Sequence, residues 1–547
     1  MTDWNFADVW ETVADLIPKA NALAHEDRRV TWTELDRRAD GIAQALIDAG
    51  LGQQDKVAQY LRNCPEYLES TFGSLKAGFV PVNTNYRYGD EELYYLWDNA
   101  DAACIIVHGS FVERADKLRS RLTKVRFWLW VDDGTEPCPD WATPYEKAAA
   151  SAADRVRAPW GRSGDDLYLL YTGGTTGWPK GVMWRQDDLF ARLNAGNIVR
   201  LDESAGLDGI KKIVKGPGPV HLPACPLMHG TGVFTSMGML SVGGSVVTLG
   251  GARFDAAELL DAVDRDKVNI VAIVGDAFAK PIVEALDREP RRWHLSTLLG
   301  IVSSGVMWSE ETKRALLRHK PTLLLVDAFS SSEAIGLGVS VSSGSDAQAT
   351  AKFVLGPEVR VVDPDTLKDV VPGSGQSGVL ALGGRNPLGY YKDTAKSEST
   401  FKEVDGTRMS IPGDFATVDS EGTIHLLGRG SVVINTGGEK VYPEEVEEVL
   451  KLHPAVRDAV VVGIPDARFG QAIVAAVELK PGETVSEEDL IAGVKSHLSG
   501  FKAPRRIRFV DSIGRAPTGK VDYAKHAAEA VEWAAPSSGT AASSGAS

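Results

Sequence analysis

The chain has 547 residues, of which 43% are hydrophobic and 8% aromatic, so it can form two or more folded domains and is not disordered as a whole. Its net charge of −15 and pI of about 5.3 argue against a general nucleic-acid-binding surface, which needs a basic patch. The N-terminal residues lack the basic and apolar segments of a signal peptide, and no run reaches the ~18 apolar residues of a membrane helix.

The cysteine pattern is typical of a reducing compartment. Cys64, Cys104, Cys138 and Cys225 are widely spaced and form no C-x-x-C pair, which argues against a zinc site and against a disulfide framework. We therefore expect a cytoplasmic protein with no integral membrane span. A peripheral contact with lipid and a homodimer both stay open.

In chain order, short β-branched runs alternate with amphipathic stretches through roughly the first 430 residues. The runs at 103–107, 125–131 and 268–274 predict buried strands, and residues 32–49 have the apolar spacing of a helix. The alternation predicts an α/β fold, with a large N-terminal domain in which helices sandwich the sheets.

The pattern changes near residue 430 to that of a small α+β domain. Pro443, followed by two glutamates, begins one predicted helix, and Ser486 caps another. Further strands are predicted at 459–462, 472–477 and 506–510. We predict an N-terminal domain over 1–429, a mobile C-terminal domain over 430–534 and a disordered Ser/Gly/Ala-rich tail over 535–547.

A glycine- and threonine-rich loop follows a predicted strand at 165–170, which is where ligands of α/β sheets usually lie. Its glycines let backbone N–H groups turn toward a ligand oxygen, its hydroxyls add donors, and its lysine adds a point charge. These features predict a phosphate-binding loop without Walker spacing, formed by Thr172, Gly173, Gly174, Thr175, Thr176, Gly177 and Lys180.

The string Thr-Gly-Gly-Thr-Thr-Gly-x-Pro-Lys-Gly at 172–181 resembles the phosphate-binding signature of the adenylate-forming superfamily. That superfamily includes acyl-CoA synthetases, luciferase-like enzymes and the adenylation domains of peptide synthetases. Gly173 stands where relatives usually carry serine. Other strings resemble the same superfamily in the same chain order, so the resemblance extends from Val30 to Lys520.

For the large domain, the resemblance implies an acyl pocket and a nucleotide site. His229, in the motif at 226–232, would lie beside the carboxylate being activated, and Ser304 and Gly305 would line the adenine and acyl pocket. The motif at 327–333 implies four further contacts: nucleotide binding by Asp327, stacking on adenine by Phe329, a phosphate contact by Ser332 and Mg²⁺ coordination by Glu333. Thr176 is a second implied metal ligand. From the residues alone, a nucleophilic Cys225–His229 pair is disfavoured.

Toward the C-terminus, the resemblance implies ribose contacts and two groups of residues that occupy the site in turn. Asp414 would accept hydrogen bonds from the ribose hydroxyls, and Arg429 would be a second ribose or phosphate contact, beside a hinge at 429–431. The loop with Gly437, Gly438 and Lys440 would face the site during thioester formation. Lys520 would reach the site during adenylation.

Together these motifs imply an acyl-CoA ligase that uses ATP, Mg²⁺ and coenzyme A, with Lys520, Glu333 and His229 as its catalytic residues. Similarity to actinobacterial enzymes favours a hydrophobic carboxylate, either a fatty acid or a steroid side-chain acid. An aryl-CoA ligase shares every motif and stays open, as does a stand-alone adenylation enzyme that loads a carrier protein. A catalytically silent nucleotide-binding regulator is disfavoured, because Lys180, Glu333, Asp414, Arg429 and Lys520 are all present.

Overall fold

The computed structural model describes residues 3–173, 178–306, 308–436, 439–466, 470–498, 500–515 and 521–534. The helices are α1 (Phe6–Leu16), α2 (Trp32–Asp48), α3 (Pro65–Lys76), α4 (Asp90–Asn99), α5 (Val112–Arg119), α6 (Tyr145–Ala149), α7 (Gln186–Gly196), α8 (Leu207–Ile213), α9 (Gly230–Leu240), α10 (Ala256–Asp266), α11 (Asp276–Arg288), α12 (Glu310–His319), α13 (Thr394–Thr400), α14 (Pro443–Lys451), α15 (Glu487–His497) and α16 (Tyr523–Ala534). Short 3₁₀ helices span Gly109–Phe111, Glu203–Ala205, Gly430–Val432 and Gly500–Lys502.

The strands fall into an N-terminal group, a middle group and a C-terminal group. The first comprises β1 (Asn21–His25), β2 (Arg28–Thr31), β3 (Lys56–Tyr60), β4 (Val80–Asn83), β5 (Ala102–His108), β6 (Phe127–Val131), β7 (Thr143–Pro144), β8 (Leu167–Thr172) and β9 (Lys180–Arg185). The second comprises β10 (Val220–Pro223), β11 (Ser245–Thr248), β12 (Ile270–Ile273), β13 (Gly300–Ser303), β14 (Leu324–Ser331), β15 (Ala334–Ser343), β16 (Lys352–Leu355), β17 (Val359–Val362), β18 (Ser377–Leu382), β19 (Gly389–Tyr390), β20 (Phe401–Val404), β21 (Thr407–Ser410), β22 (Asp414–Val418) and β23 (Thr423–Arg429). The third comprises β24 (Ile434–Thr436), β25 (Glu439–Val441), β26 (Val456–Asp466), β27 (Gly470–Leu479) and β28 (Arg506–Val510).

These strands form two sheets in the large N-terminal part and a smaller sheet in the C-terminal part. One large sheet has the order β2-β1-β11-β10-β12-β13-β14-β15-β16-β23-β22-β18-β21-β20, with β17 also paired to β18. The other has the order β19-β9-β8-β4-β3-β5-β6-β7. The small sheet has the order β25-β24-β27-β26, with β28 parallel to β27. The predicted fold class, a large α/β part followed by a small α+β part, is confirmed.

The predicted helix starts are confirmed where the sequence has a strong local capping signal. Helix α2 begins at Trp32, and the Thr31 side chain accepts a hydrogen bond from the Glu34 backbone N–H. Pro443 is the first residue of α14, and Ser486 Oγ accepts from the Asp489 backbone N–H at 3.0 Å.

In the larger of the two sheets, the parallel pairing extends from β1 to β14. The neighbours from β1 through β11, β10, β12 and β13 to β14 are parallel, whereas β14 pairs antiparallel with β15. From β14 to β23 the chain is largely antiparallel, with α13 between β19 and β20. Apolar periodicity predicts that a segment is a strand but does not specify the direction of its partner. In the described part of the chain, no helix is both long and apolar enough to cross a bilayer.

A buried charge cluster joins the first three helices. Lys76, at the end of α3, has a fully buried side chain, and its Nζ lies 3.0 Å from Glu11 Oε1 on α1. The same Nζ lies 2.7 Å from Asp36 Oδ1 and 2.7 Å from Asp40 Oδ1 on α2. Lys76 shares the compensation of these buried carboxylates with arginines, since Glu11 also contacts Arg157 and Arg162, and Asp36 also contacts Arg155.

We expect Lys76→Met to lower the free energy of unfolding by about 3 kcal/mol, because it removes the lysine partner of the buried Asp40 carboxylate, whereas Glu11 and Asp36 keep their arginine partners. The control is Lys117→Met, which removes an exposed ion pair with Glu113 on α5 and should cost at most about 1 kcal/mol. Urea denaturation measures both values. Equal costs for the two variants would contradict the stabilising role of the cluster.

Candidate active site

A cavity of about 2320 Å³ collects residues from both large sheets and from the C-terminal part. This volume exceeds the ~300–1,000 Å³ of a pocket for one small molecule, so the cavity has room for more than one ligand. The structure brings ten of the predicted site residues into its lining: Thr172, Gly173, His229, Ser304, Gly305, Asp327, Phe329, Ser332, Glu333 and Asp414.

The end of β8, which leads into the predicted phosphate loop, is fixed by a buried asparagine. Asn83, the last residue of β4, accepts from the Tyr171 backbone N–H at 2.6 Å and donates from Nδ2 to the Tyr171 carbonyl at 2.8 Å. The same Nδ2 donates to the Met228 carbonyl at 2.6 Å. One amide thereby sets the start of the phosphate loop relative to the residue that precedes His229.

Glu333 lies at the tip of the β14–β15 hairpin, and side chains from three other strands hold that tip. Tyr390 Oη donates to Glu333 Oε1 at 2.7 Å, and Ser410 Oγ donates to the Glu333 carbonyl at 2.7 Å. Trp184 Nε1 donates to the carbonyl of the preceding Ser332 at 3.1 Å. Glu333 is 8% exposed and lines the cavity. Its position is therefore set before any ligand binds.

Asp327 forms a buried ion pair at the wall of the cavity. Its Oδ2 lies 3.2 Å from Nζ of Lys313 on α12, whose side chain is 1% exposed. Burial raises the pKa of Asp327 to about 6, and the Lys313 charge offsets part of that effect. Asp327 lies within β14, which continues to Ser331 beyond the apolar run at 323–326. Pairing with β15 extends the strand beyond its apolar run.

His229 is the N-cap residue of α9, and it is half-buried in the cavity lining. Across the cavity, Gly305 has a φ of +102°, a backbone conformation that favours glycine, and the Ser304 carbonyl accepts from Thr231 Oγ1 at 3.4 Å. Cys225 is fully buried, and burial raises the pKa of its thiol to about 12. A thiol held in this state is a poor nucleophile, which agrees with the rejected Cys225–His229 pair.

Two further predicted nucleotide contacts lie on the antiparallel half of the large sheet. The Phe329 ring packs against Phe353 with centroids 5.4 Å apart and contributes to the cavity lining. Asp414 begins β22, is 5% exposed and lies opposite Arg429 in the β22–β23 register. This register places the two predicted ribose contacts on neighbouring strands.

The Lys180 ammonium group forms an ion pair with a neighbouring carboxylate. Its Nζ lies 2.5 Å from Oδ2 of Asp393, the N-cap residue of α13, and this contact lowers the pKa of Asp393. Lys180 is paired with Thr172 in the β8–β9 register, so it remains close to the start of the phosphate loop.

Several predicted site residues lie outside the part that the structure describes. These residues are Gly174, Thr175, Thr176, Gly177, Gly437, Gly438 and Lys520, and of Arg429 and Lys440 only the backbone is described. The described residues nearest to Lys520 do line the cavity. Arg515 binds Asp458 through Nε at 2.6 Å and Nη2 at 2.9 Å, and Tyr523 Oη donates to Glu447 Oε2 at 3.3 Å.

Three residues that position the site were not predicted from the sequence. Asn83 is one of them, although a polar residue at the end of a buried strand was a usable signal. Tyr390 and Lys313 had no such signal. They contact Glu333 and Asp327 across 57 and 14 positions of sequence, so only tertiary folding brings them there.

Comparison with known proteins agrees with this arrangement. The family described as AMP-binding enzyme matches residues 10–391, and the family described as AMP-binding enzyme C-terminal domain matches residues 445–520. The chain belongs to the AMP-binding enzyme family.

Relatives with assigned activities align over almost the whole chain. A 3-oxocholest-4-en-26-oate–CoA ligase from Rhodococcus rhodochrous is 39% identical over 95% of this chain and 94% of its own length. A medium/long-chain-fatty-acid–CoA/3-oxocholest-4-en-26-oate–CoA ligase from Mycobacterium tuberculosis is also 39% identical, over 95% of each chain. ATP-bound MatB from Rhodopseudomonas palustris superposes with a TM-score of 0.79 at 25% identity, covering 97% of this chain and 99% of its own.

The raised pKa of Asp327 predicts a pH-dependent stability. The folded state binds a proton more tightly than the unfolded chain does, so the contribution of Asp327 to the free energy of unfolding should fall as pH rises from about 4 to about 6. From the shift of the pKa, this fall should be roughly 3 kcal/mol. The measurement is urea denaturation of wild type and Asp327→Asn across this range. The difference in free energy of unfolding between the two proteins should change between about pH 4 and pH 6 and should be constant at higher pH.

The control for this experiment is Asp363→Asn. The exposed Asp363 carboxyl accepts hydrogen bonds from Thr366, which lower its pKa, so it titrates below the interval. Its difference from wild type should be constant between about pH 4 and 6. If the difference between Asp327→Asn and wild type is also constant over this pH range, Asp327 does not titrate with a raised pKa.

Proposed function

We propose that this protein is an ATP-dependent acyl-CoA ligase that activates a hydrophobic carboxylic acid. The observation that carries the proposal is that a single cavity joins the end of the phosphate-loop strand, the Glu333 carboxylate, Asp414 and an apolar wall. A nucleotide and an acid could meet there, as adenylation requires. The proposed assignment agrees with the CoA-ligase names of the 39% identical relatives.

In the proposed first half-reaction, a carboxylate oxygen of the acid attacks the α-phosphorus of ATP. The new P–O bond gives acyl-AMP, and the P–O bond to pyrophosphate breaks. The protein's work is positioning and charge neutralisation, by the 172–180 loop and by Lys520. Lys180 becomes available to phosphate only when its ion pair with Asp393 opens.

The metal proposal rests on Glu333. Mg²⁺ is commonly held by one or two carboxylates together with substrate phosphates, and a preset carboxylate in the cavity wall fits that pattern. Thr176 is the second proposed ligand. When bound, Mg²⁺ would neutralise phosphate charge. The surrounding bonds from Tyr390 and Ser410 orient Glu333 for this role.

In the proposed second half-reaction, the CoA thiol sulfur attacks the acyl carbon, and AMP leaves with the mixed-anhydride oxygen. We propose the unit boundaries 1–429 and 430–534, with rotation about 429–431 that removes Lys520 and brings Gly437, Gly438 and Lys440 to the site. Residues of the C-terminal part already line the cavity, so a rotation there would change the composition of its wall. The cytoplasmic location, the homodimer, the peripheral lipid contact and the 535–547 tail stay predictions.

The proposed substrate class follows from the cavity wall. Leu170, Phe234, Met239 and Val274 line the cavity on the side of His229. An apolar wall beside the position of the reacting carboxylate favours a hydrophobic acid, and the relatives are named for medium- and long-chain fatty acids and for a steroid acid. We propose that this protein takes acids of the same class.

The test is thioester formation with Mg·ATP and CoA across medium-chain, long-chain, steroid side-chain and aryl acids. We expect pyrophosphate and acyl-CoA with the apolar aliphatic or steroid acids, because burial of each CH₂ stabilises the complex by about 0.8 kcal/mol. Detection is by coupled pyrophosphate assay and mass spectrometry. Preference for aryl acids would overturn the substrate class, and ATP binding without pyrophosphate release from any acid would overturn the ligase assignment.

Lys520 is proposed to act in adenylation alone, so its removal should affect the two half-reactions differently. We expect Lys520→Ala to lower the rate of pyrophosphate release by about 10²–10³, because it removes a cation from the developing charge. Thioester formation from supplied acyl-AMP and CoA should persist. The matched control is Lys495→Ala on α15, an exposed lysine outside the cavity lining. Equal loss of both half-reactions in Lys520→Ala would contradict the proposed exchange.

A further inference from the structure

One face of the large sheet carries an exposed strip of apolar side chains. In the strand register, Val302 lies beside Val326, Val326 lies opposite Val341, and Val339 lies opposite Val354. Leu324 shares this face because it lies two residues before Val326. The apolar strip consists of Val302, Leu324 (51% exposed), Val326, Val339 (40%), Val341 (47%) and Val354 (61%).

The strip is continuous with the active-site cavity. Val302, Val326 and Val339 line the same cavity as His229 and Ser304. β13 and β14 run in parallel toward the site, so the strip leads back along these strands and away from it. From Ala328 to Leu324 the distance along β14 is about 13 Å.

The strip cannot turn inward to bury itself. The alternate residues Ile301 and Leu325 are 2% and 0% exposed and belong to the apolar core that also contains residues of α11 and α12. Rotation of either strand would expose that core, because successive side chains of a strand point to opposite faces. The exposed orientation of the strip is therefore a consequence of the fold.

The cavity has a second exposed apolar residue in its lining. Ile198, which follows α7, is 70% exposed and lines the cavity together with Met239 of α9. Contiguous exposed apolar surface is characteristic of binding sites in soluble proteins. Because this surface adjoins the cavity, a ligand that extends out of the cavity can contact it.

We propose that the apolar strip binds the far end of the acid's acyl chain, so that this enzyme takes acids too long for the enclosed part of its cavity. The inference rests on the proposed function, since it assumes that the acid's carboxylate lies near His229. It assigns specificity for long acids to residues outside the reacting end, above all Val341 and Leu324. These residues do not stabilise the binding of an acid whose chain ends before it reaches them.

The test compares Val341→Ser with wild type in equilibrium binding of hexadecanoate and hexanoate, measured by calorimetry on the full chain. We expect Val341→Ser to raise the Kd of hexadecanoate about fivefold, because a hydroxyl replaces an apolar contact, and to leave the Kd of hexanoate unchanged. Leu324→Ser should act in the same way. The matched control is Val371→Ser, which alters a valine that is 67% exposed and lies outside the strip.

The outcomes separate this inference from the proposed function. Binding does not require turnover, so a wild type that binds hexadecanoate but forms no thioester from any acid of the panel would overturn the ligase assignment while the strip is still tested. Equal effects of Val341→Ser on both acids, or none on either, would overturn the strip. A change of oligomeric state in Val341→Ser, measured by light scattering and without a length-dependent effect on acid binding, would also overturn the proposal. The strip would then be a contact between copies of the chain.

Discussion

The hydrogen bonds of Asn83 are the constraint on which the geometry of the site depends. A buried amide whose oxygen and nitrogen both bond to Tyr171, and whose nitrogen also bonds to the Met228 carbonyl, joins β4, β8 and the segment before His229. Loss of such a group would leave backbone donors and acceptors buried without partners, which costs more than the bonds themselves contribute. The start of the phosphate loop and the segment leading to His229 thus share one reference point.

The second support of the site is the hairpin that carries Glu333. Trp184, Tyr390 and Ser410 belong to three different strands, and they donate to the hairpin tip from both large sheets. Such a tip needs no reorganisation before it meets a charged ligand, and preorganisation of this kind is a large part of electrostatic catalysis. The Asp327–Lys313 pair supplies a comparable fixed point on the other side of β14.

The C-terminal part meets this rigid wall with a different type of contact. Its cavity-facing side carries ion pairs and hydrogen bonds within its own sheet and helices, such as Arg515 with Asp458 and Tyr523 with Glu447. Between the two parts, by contrast, Lys280 on α11 donates to the Arg457 carbonyl at 2.9 Å, and Lys480 lies 3.7 Å from Glu311. Exposed polar contacts of this kind contribute little, whereas Phe415 also packs against the buried Tyr442 across the same boundary, with ring centroids 5.6 Å apart.

The sequence by itself determined the family, the order of the motifs, and the elements with strong local signals, such as α2, the Pro443 start of α14 and the Ser486 cap. These depend on residue type and short spacing, which the chain displays directly. Only the tertiary structure decided the antiparallel half of the large sheet, the partners of Glu333 and Asp327, the Lys180–Asp393 ion pair and the exposed face that extends the cavity. Each of these joins residues distant in sequence, and the direction, register and contact of such partners are set by packing rather than by local pattern.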